Sequence, residues 1–138
     1  DQALAWLADN SDRLGYPYDV TKEAVNVYTS SRALTLVEQG IRMNCINPGG
    51  TRTPATPEFS KAMLAKDHGE EMLKAYPRLM GRLAKPVEQA WPMVFLNSAL
   101  ASYVNGTALN VDAGLTGGLF TASVDPAVAR GMQWRLPR

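Results

Sequence analysis

The chain has 138 residues, of which 46% are hydrophobic, and its 14 basic and 13 acidic side chains leave a net charge of +1. This is enough apolar material for one domain. The Lys and Arg residues are scattered, which gives no electrostatic argument for nucleic acid or an anionic membrane surface as a partner. No apolar run approaches the length that spans a bilayer.

The chain opens on DQALAWLADNSDR, in which Ala3, Leu4, Leu7 and Ala8 fall at helical spacing. This spacing predicts a helix over residues 1–12. Because domain boundaries more often carry polar or flexible residues, a start inside such a pattern leads us to expect a piece of a longer protein.

A long helix is predicted next, over residues 19–39, with Gly40 ending it. The apolar run 41–47 is bounded by Gly40 and Pro48 and predicts a buried strand. Its cysteine, Cys45, is expected to be a buried reduced thiol, which favours a reducing, cytoplasmic compartment.

The second half of the chain begins with a loop, PGGTRTPATP, and a broken helical pattern over 58–75. A helix is predicted from Pro86 to Asn97, and Pro92 is expected to kink it or shift its start. A second short strand is predicted over 106–114, and the tail from Leu115 onward is expected to be mostly irregular.

Two apolar strands joined through helices are expected to pair in parallel by a right-handed crossover, with burial on both faces. Two strands are too few for a stable sheet, so at least one bare edge is expected. No spacing of Cys, His and acidic residues is typical of metal ligands, so no metal is expected. The one histidine, His68, is expected at the surface.

Tyr18 and Lys22 lie four residues apart near the start of the long helix, so they share one face, one turn apart. An ammonium beside the phenol would lower the tyrosine pKa from about 10 toward neutrality. Such a pair would suit general acid or base chemistry at a hydroxyl or carbonyl oxygen. Tyr16 lies outside the helix start and cannot share that face. Taken alone, the pair also fits a surface tyrosine, because the chain has five tyrosines.

Three separated stretches together resemble the second half of the short-chain dehydrogenase/reductase family. They are YPYDVTKEAV, RMNCINPGGTRTP and KPVEQAWPMVFLNSALASYVNGTALNVDAG. The resemblance implies an α/β fold, namely the C-terminal part of a Rossmann-type doubly wound parallel sheet, with helices packed on two short parallel strands. Residues 1–138 would be the C-terminal portion of one dehydrogenase domain that lacks its N-terminal cofactor-binding half.

The resemblance also implies site residues. Tyr18 matches the family's catalytic acid/base and is also expected to be a cofactor-binding residue. Lys22 matches the residue that lowers the tyrosine pKa and binds the nicotinamide ribose. Pro48 and Gly49 match the turn that passes close to the nicotinamide ring. The backbone of Thr51 would face the carboxamide, and the hydroxyl of Thr53 would help to hold the carboxamide or the pyrophosphate of NAD or NADP. Ordinary loop threonines are the alternative for Thr51 and Thr53.

The departures from the family pattern are the absent glycine-rich pyrophosphate loop and the absent catalytic serine, whose position is occupied by Ala5. Ser11 is too close to Tyr18 to take that role. The residues before Tyr18 resemble an inserted helix of the 3α-hydroxysteroid dehydrogenase/carbonyl reductase group. Residues 54–80 would be the substrate-binding segment, and its apolar side chains would line a pocket or serve in core packing: Met63, Leu64, Met72, Tyr76, Leu79 and Met80.

Two functions are therefore expected. The first is an NAD(P)-dependent oxidoreductase that interconverts a small alcohol and a carbonyl compound, steroid-like or otherwise apolar, and forms a homo-oligomer. The second is a catalytically inert C-terminal fragment that serves only in oligomerisation or interaction. The intact Tyr18, Lys22 and Thr53 favour an active parent protein, whereas the missing loop and serine lead us to expect the chain as given to be inactive.

Overall fold

The computed structural model describes residues 5, 9, 10, 17–65, 69, 70, 73, 80–121 and 123, with the backbone alone at 17–19. The chain forms two compact units, one comprising residues 1–45 and 105–107 and the other 46–104 and 108–138. In chain order the elements are α1 (Pro17–Val37), β1 (Cys45–Pro48), α2 (Thr56–Leu64), α3 (Pro86–Asn97), a 3-10 turn (Ala99–Ala101), β2 (Ala108–Val111) and α4 (Leu115–Phe120).

Strands β1 and β2 pair with each other. The Cys45 N–H donates to the Thr107 carbonyl and the Gly49 N–H to the Val111 carbonyl, each over 2.9 Å. Because the partner numbers rise together, the strands are parallel, which confirms that prediction. In the described part of the chain each strand has one partner strand, and β1 is half-buried up to its exposed last residue. The predicted full burial of this strand, including Cys45, is therefore wrong.

Both strands are shorter than the apolar runs predicted. Before β1, the Met43 N–H donates to the Asn105 side chain over 2.9 Å, and the Thr107 N–H donates to the Asn44 side chain over 3.1 Å. These side-chain amides take the place of backbone acceptors at that end, although the Gly106 N–H still donates to the Met43 carbonyl over 2.8 Å. After β2, the Asp112 carboxylate accepts the Gly114 N–H over 3.0 Å and turns the chain into α4.

The helices follow the sequence signals in part. Helix α1 begins at Pro17 and ends at Val37, two residues earlier at each end than predicted. The turn that ends it closes at the predicted Gly40 (φ 74°), where the Ile41 N–H donates to the Leu36 carbonyl over 3.1 Å. Helix α3 has the predicted bounds and continues through Pro92, so the expected shift of its start is wrong. The buried Gln89 and Leu96 anchor it on both sides of the proline.

Helix α4 contradicts the prediction of an irregular tail from Leu115 onward. Gly117 and Gly118 lower the helix propensity of this segment, so the sequence does not predict a helix there. The carboxylate of Asp112 stabilises the helix start by accepting a hydrogen bond from the Thr116 N–H over 2.8 Å. Helix α2 is shorter than the pattern over 58–75, with further helical backbone at residues 69, 70 and 73. Of the helix predicted over residues 1–12, Ala5 and Asp9 are helical and the remainder lies outside the described residues, apart from Asn10 in a turn.

Each unit has its own small core. In the first unit, Thr29 and Ala33 of α1 are buried, and a side-chain carbon added to Gly106 would lie 3.1 Å from the Cβ of Ala33. In the second unit the buried apolar side chains among the described residues are Met63, Leu96, Ala101 and Leu115. In the described part of the chain, no helix has both the length and the hydropathy needed to span a bilayer.

Candidate active site

Tyr18 and Lys22 lie in α1, in the first unit. The helix is continuous from Pro17 to Val37, so the two backbone positions share one face, one turn apart, as their spacing predicts. The ammonium-bearing side chain of Lys22 is exposed. The side chain of Tyr18 lies outside the described residues, as do Tyr16 and Ser11. Ala5, in the position of the absent serine, is helical and exposed.

The turn after β1 belongs to the second unit and depends on a glycine at its first position. The Gly49 N–H donates to the Val111 carbonyl over 2.9 Å, which draws the turn against the end of β2. A side-chain carbon added to Gly49 would lie 2.6 Å from the Cα of Asp112. No other residue type allows this approach without a shift of the backbone.

The next residues of the turn are held by Ala84, a neighbour that the sequence did not suggest. The Ala84 N–H donates to the Gly50 carbonyl and the Arg52 N–H donates to the Ala84 carbonyl, each over 2.9 Å. These bonds form a parallel bridge between Thr51 and Ala84. In such a bridge the flanking residues carry the bonds, so the N–H and carbonyl of Thr51 itself point away from Ala84.

Hydroxyl groups stabilise the same turn from within. Thr51 donates its hydroxyl to the Gly49 carbonyl over 3.0 Å. The hydroxyl of Thr56 accepts the Thr53 N–H over 2.7 Å and donates to the Thr51 carbonyl over 3.2 Å. Thr53 is exposed, as a ligand-facing residue requires. The sequence analysis missed Thr56, although a threonine at the first helical position of TPEF could have indicated it.

The end of β2 is held by two further side chains. The Asp112 carboxylate accepts the hydroxyl of Thr116 over 2.5 Å in addition to backbone N–H groups. Gln89 is buried and donates to the Val111 carbonyl over 3.1 Å, the same oxygen that accepts from Gly49. The other amide atom of Gln89, Oε1, is buried without a hydrogen bond to the part of the chain that the structure describes.

A salt bridge in this unit joins Arg82 to Glu88. Each of the two terminal guanidinium nitrogens donates to one carboxylate oxygen over 2.7 Å. One of those oxygens also accepts the Lys85 N–H over 2.7 Å. The hydrogen bond from Arg82, followed by that from Lys85, lowers the pKa of Glu88 to about 2, and the same pair raises the pKa of Arg82.

The turn over residues 48–53 suits a carboxamide chemically. Thr51 presents a backbone N–H and carbonyl on the side away from Ala84, where the carbonyl also accepts the Thr56 hydroxyl. A carboxamide has one donor group and one acceptor, which match such a pair. Among the described residues, no group of three or more His, Cys, Asp or Glu side chains is arranged to hold a metal ion.

The segment expected to bind substrate, 54–80, is described in part. Met63 is buried, whereas Leu64 and Met80 are exposed. Met72, Tyr76, Leu79 and His68 lie outside the described residues.

Residues 10–116 match a family model described as Enoyl-(Acyl carrier protein) reductase. The chain is 39% identical over 99 residues to dehydrogenase/reductase SDR family member 6 of Rattus norvegicus, covering 70% of this chain and 39% of that protein. It is 38% identical over 98 residues to 3-alpha-hydroxysteroid dehydrogenase/carbonyl reductase of Comamonas testosteroni, covering 71% and 37%. The chain thus spans less than two fifths of the length of both relatives.

Among solved structures, the chain resembles 3-ketoacyl-(acyl-carrier-protein) reductase of Brucella melitensis complexed with NADH. The TM-score is 0.53 at 33% identity, over 70% of this chain and 35% of that protein. Together with the parallel strand pair, this similarity confirms the predicted α/β class as part of a Rossmann-type sheet. The family model and these relatives show that the chain belongs to the short-chain dehydrogenase/reductase family.

Proposed function

We propose that the protein carrying this chain is an NAD(P)-dependent oxidoreductase that interconverts an alcohol and a carbonyl compound. The observation that carries the proposal is the construction of the 48–53 turn. Gly49 lies too close to Asp112 to carry a side chain, and the bridge to Ala84 directs the N–H of Thr51 away from Ala84. The first feature fixes the turn against the end of β2, and the second offers a backbone N–H against which a flat carboxamide could lie.

The proposed roles are those that the family motifs assign to each residue. Tyr18 gives its phenolic proton to the substrate oxygen during reduction and takes it back during oxidation. Lys22 favours the phenolate and so lowers the pKa of Tyr18, and it also binds the cofactor ribose. Pro48, Gly49, Thr51 and Thr53 form the nicotinamide-facing turn. When bound, the nicotinamide would supply or accept the hydride at the substrate carbon.

The cofactor is NAD or NADP, and the substrate is a small alcohol or carbonyl compound. The Brucella melitensis structure contains NADH, and the Comamonas testosteroni relative is named for hydroxysteroid and carbonyl substrates. We extend these substrates to this protein as an apolar, steroid-like alcohol or ketone bound by the segment 54–80. Met80 and Leu64, both exposed, are apolar side chains available there.

The compartment that we propose is the cytoplasm. Cys45 is a free, half-buried thiol that donates to the Asn26 side chain over 3.5 Å. A reduced thiol with a hydrogen-bond partner suits a reducing environment.

Substitution of the catalytic pair tests the proposal. Tyr18→Phe is expected to lower kcat by about 10² to 10⁴, the usual contribution of a positioned acid or base, and to affect NADH or NADPH binding much less. Lys22→Met is expected to weaken cofactor binding and to move the alkaline limb of the pH–rate profile toward the ordinary tyrosine pKa of about 10. The measurements are steady-state kinetics and a fluorescence titration with each cofactor.

Tyr28→Phe is the matched control, because Tyr28 is an exposed tyrosine on the same helix. This variant should keep the wild-type kcat, pH–rate profile and cofactor affinity. A wild-type protein that shows no saturable cofactor binding would overturn the proposal. Equal losses in Tyr18→Phe and Tyr28→Phe would contradict the role of Tyr18.

The second candidate is a catalytically inert fragment that acts as an oligomerisation module. It is favoured by the large apolar side chains that α1 and α3 expose, among them Leu34 and Val94. We also propose that the active protein is a homo-oligomer through such surfaces, so the two readings differ in the cofactor titration and not in assembly. A protein that forms oligomers but does not bind NADH or NADPH would support the second candidate.

A further inference from the structure

Ala84, which bonds the 48–53 turn, lies in a short segment, residues 82–88, whose ends are joined by side-chain hydrogen bonds. The carboxylate of Glu88 accepts two hydrogen bonds from Arg82 and a third from the Lys85 N–H, all over 2.7 Å. Ala84 therefore lies inside a ring closed by a side-chain ion pair. Arg82 also donates to the Leu83 carbonyl over 3.1 Å, which ties the guanidinium to the peptide group preceding Ala84.

The backbone of Ala84 connects the ion-paired segment to the turn. Its N–H and its carbonyl both bond the turn, to Gly50 and Arg52 respectively. Because both bonds lie on one edge of the residue, a rotation of the Ala84 peptide groups would break them together. The direction of the Thr51 N–H depends on those two bonds, since they define the bridge.

We propose that Arg82 and Glu88 are positioning residues, which hold Ala84 so that it fixes the Gly50–Arg52 backbone in the conformation that receives the nicotinamide carboxamide. The inference rests on the proposed function, because the turn it concerns is the proposed cofactor turn. The proposed roles of Arg82 and Glu88 involve no contact with the cofactor. A bidentate Arg–carboxylate pair suits the role because its planar geometry fixes orientation as well as distance.

The test compares Arg82→Gln, Glu88→Gln and the double variant in the protein that carries this chain. Hydrogen exchange reports on the Ala84 and Arg52 amides, and both are expected to exchange faster in every variant, while the Gly49 amide, bonded to Val111, stays as in the wild type. If the turn adopts its binding conformation in only a fraction of the molecules, the apparent affinity for the cofactor falls by that fraction. The Kd for NADH or NADPH is therefore expected to rise about threefold to tenfold.

The expected kinetic pattern separates positioning from general destabilisation. The cofactor KM rises while kcat stays near the wild-type value, and the double variant resembles either single variant because the pair acts as one unit. Arg82→Lys keeps the charge without the planar fork and is expected to recover only part of the affinity. Arg32→Gln removes an exposed arginine of α1 in the first unit and is the control.

Unchanged exchange at Ala84 and Arg52 would overturn the inference, as would faster exchange with an unchanged cofactor Kd. Failure of the proposed function looks different: the wild-type protein itself would show no saturable nicotinamide binding. That result overturns the cofactor role of Arg82 and Glu88 as well, and the exchange data then report only whether the ion pair holds the turn.

Discussion

Gly49 is the residue whose replacement by alanine should be most informative. The added Cβ would lie 2.6 Å from the Cα of Asp112 and 3.0 Å from its Cβ, so the turn or the end of β2 must shift. We expect Gly49→Ala to lower the free energy of unfolding by about 1–3 kcal/mol, the usual cost of inserting atoms into a packed site, and to weaken cofactor binding. Urea denaturation and a cofactor titration measure the two effects.

Gly117→Ala is the matched control, and its effect should have the opposite sign. A Cβ at Gly117 would meet nothing within 4 Å, and the residue lies inside α4. Because alanine favours a helix over glycine, we expect a gain of about 0.5–1 kcal/mol. A Gly49→Ala variant as stable as wild type would contradict the close approach described here.

The residues of the turn differ in how visible they are in the sequence. Gly49 and Thr51 belong to a local motif, PGGT, so both were predicted as site residues and the structure places both in the turn after β1. Ala84 lies 33 positions after Thr51 and contacts the turn through its backbone, and no property of an alanine side chain indicates such a contact. Thr56 is an intermediate case, since a hydroxyl at a helix start has an identifiable use but several possible partners.

Glu88, at the start of α3, is expected to make the free energy of unfolding depend on pH. The residue lies in the first turn of the helix, and the pKa of this carboxyl is about 2 in the folded chain against an ordinary value of 4.5. A lowered folded pKa means that folding favours the carboxylate. Its contribution to stability is complete above pH 4.5 and is lost as the pH falls toward about 2. As the pH is lowered through that window, we expect the free energy of unfolding, measured by urea denaturation, to fall more steeply for the wild type than for Glu88→Gln.

Arg82→Gln tests the cause of that pH dependence. The largest contribution to the lowered pKa of Glu88 is the hydrogen bond from Arg82, and the Lys85 N–H and the positive charge of Lys85 also act on it. Without Arg82, most of the difference between wild type and Glu88→Gln in this window should disappear. If Arg82→Gln kept the full wild-type dependence, the ion pair would not be its source.

The elements show why some boundaries were predictable and others were not. Helix α3 was predicted from Pro86 to Asn97 because proline suits a first helical turn, and its bounds agree. The strands were predicted too long because the side-chain amides of Asn44 and Asn105 take over the backbone bonds before β1. Helix α4 was missed because its start depends on a carboxylate cap, Asp112, placed before two helix-disfavouring glycines.

At the scale of the whole molecule, α3 presents an apolar face that the described chain does not cover. Val87, Trp91 and Val94 are exposed at 43%, 62% and 66%, and they recur at helical spacing, so they lie on one side of the helix. Gln89 and Leu96 lie on the opposite, buried side. The occupant that we propose for the exposed face is a second copy of the protein, in line with the proposed homo-oligomer.

Val94→Glu tests this assembly. Burying a carboxylate against an apolar partner surface without a counter-charge is strongly unfavourable, so the variant should shift sedimentation toward the monomer while the wild-type protein sediments as an oligomer. Gln39→Glu adds the same charge at an exposed turn after α1 and should sediment as wild type. Because Val94 is exposed in the described chain, circular dichroism should show both variants folded. A wild-type monomer, or a Val94→Glu variant that remains oligomeric, would exclude this face of α3 as the subunit contact.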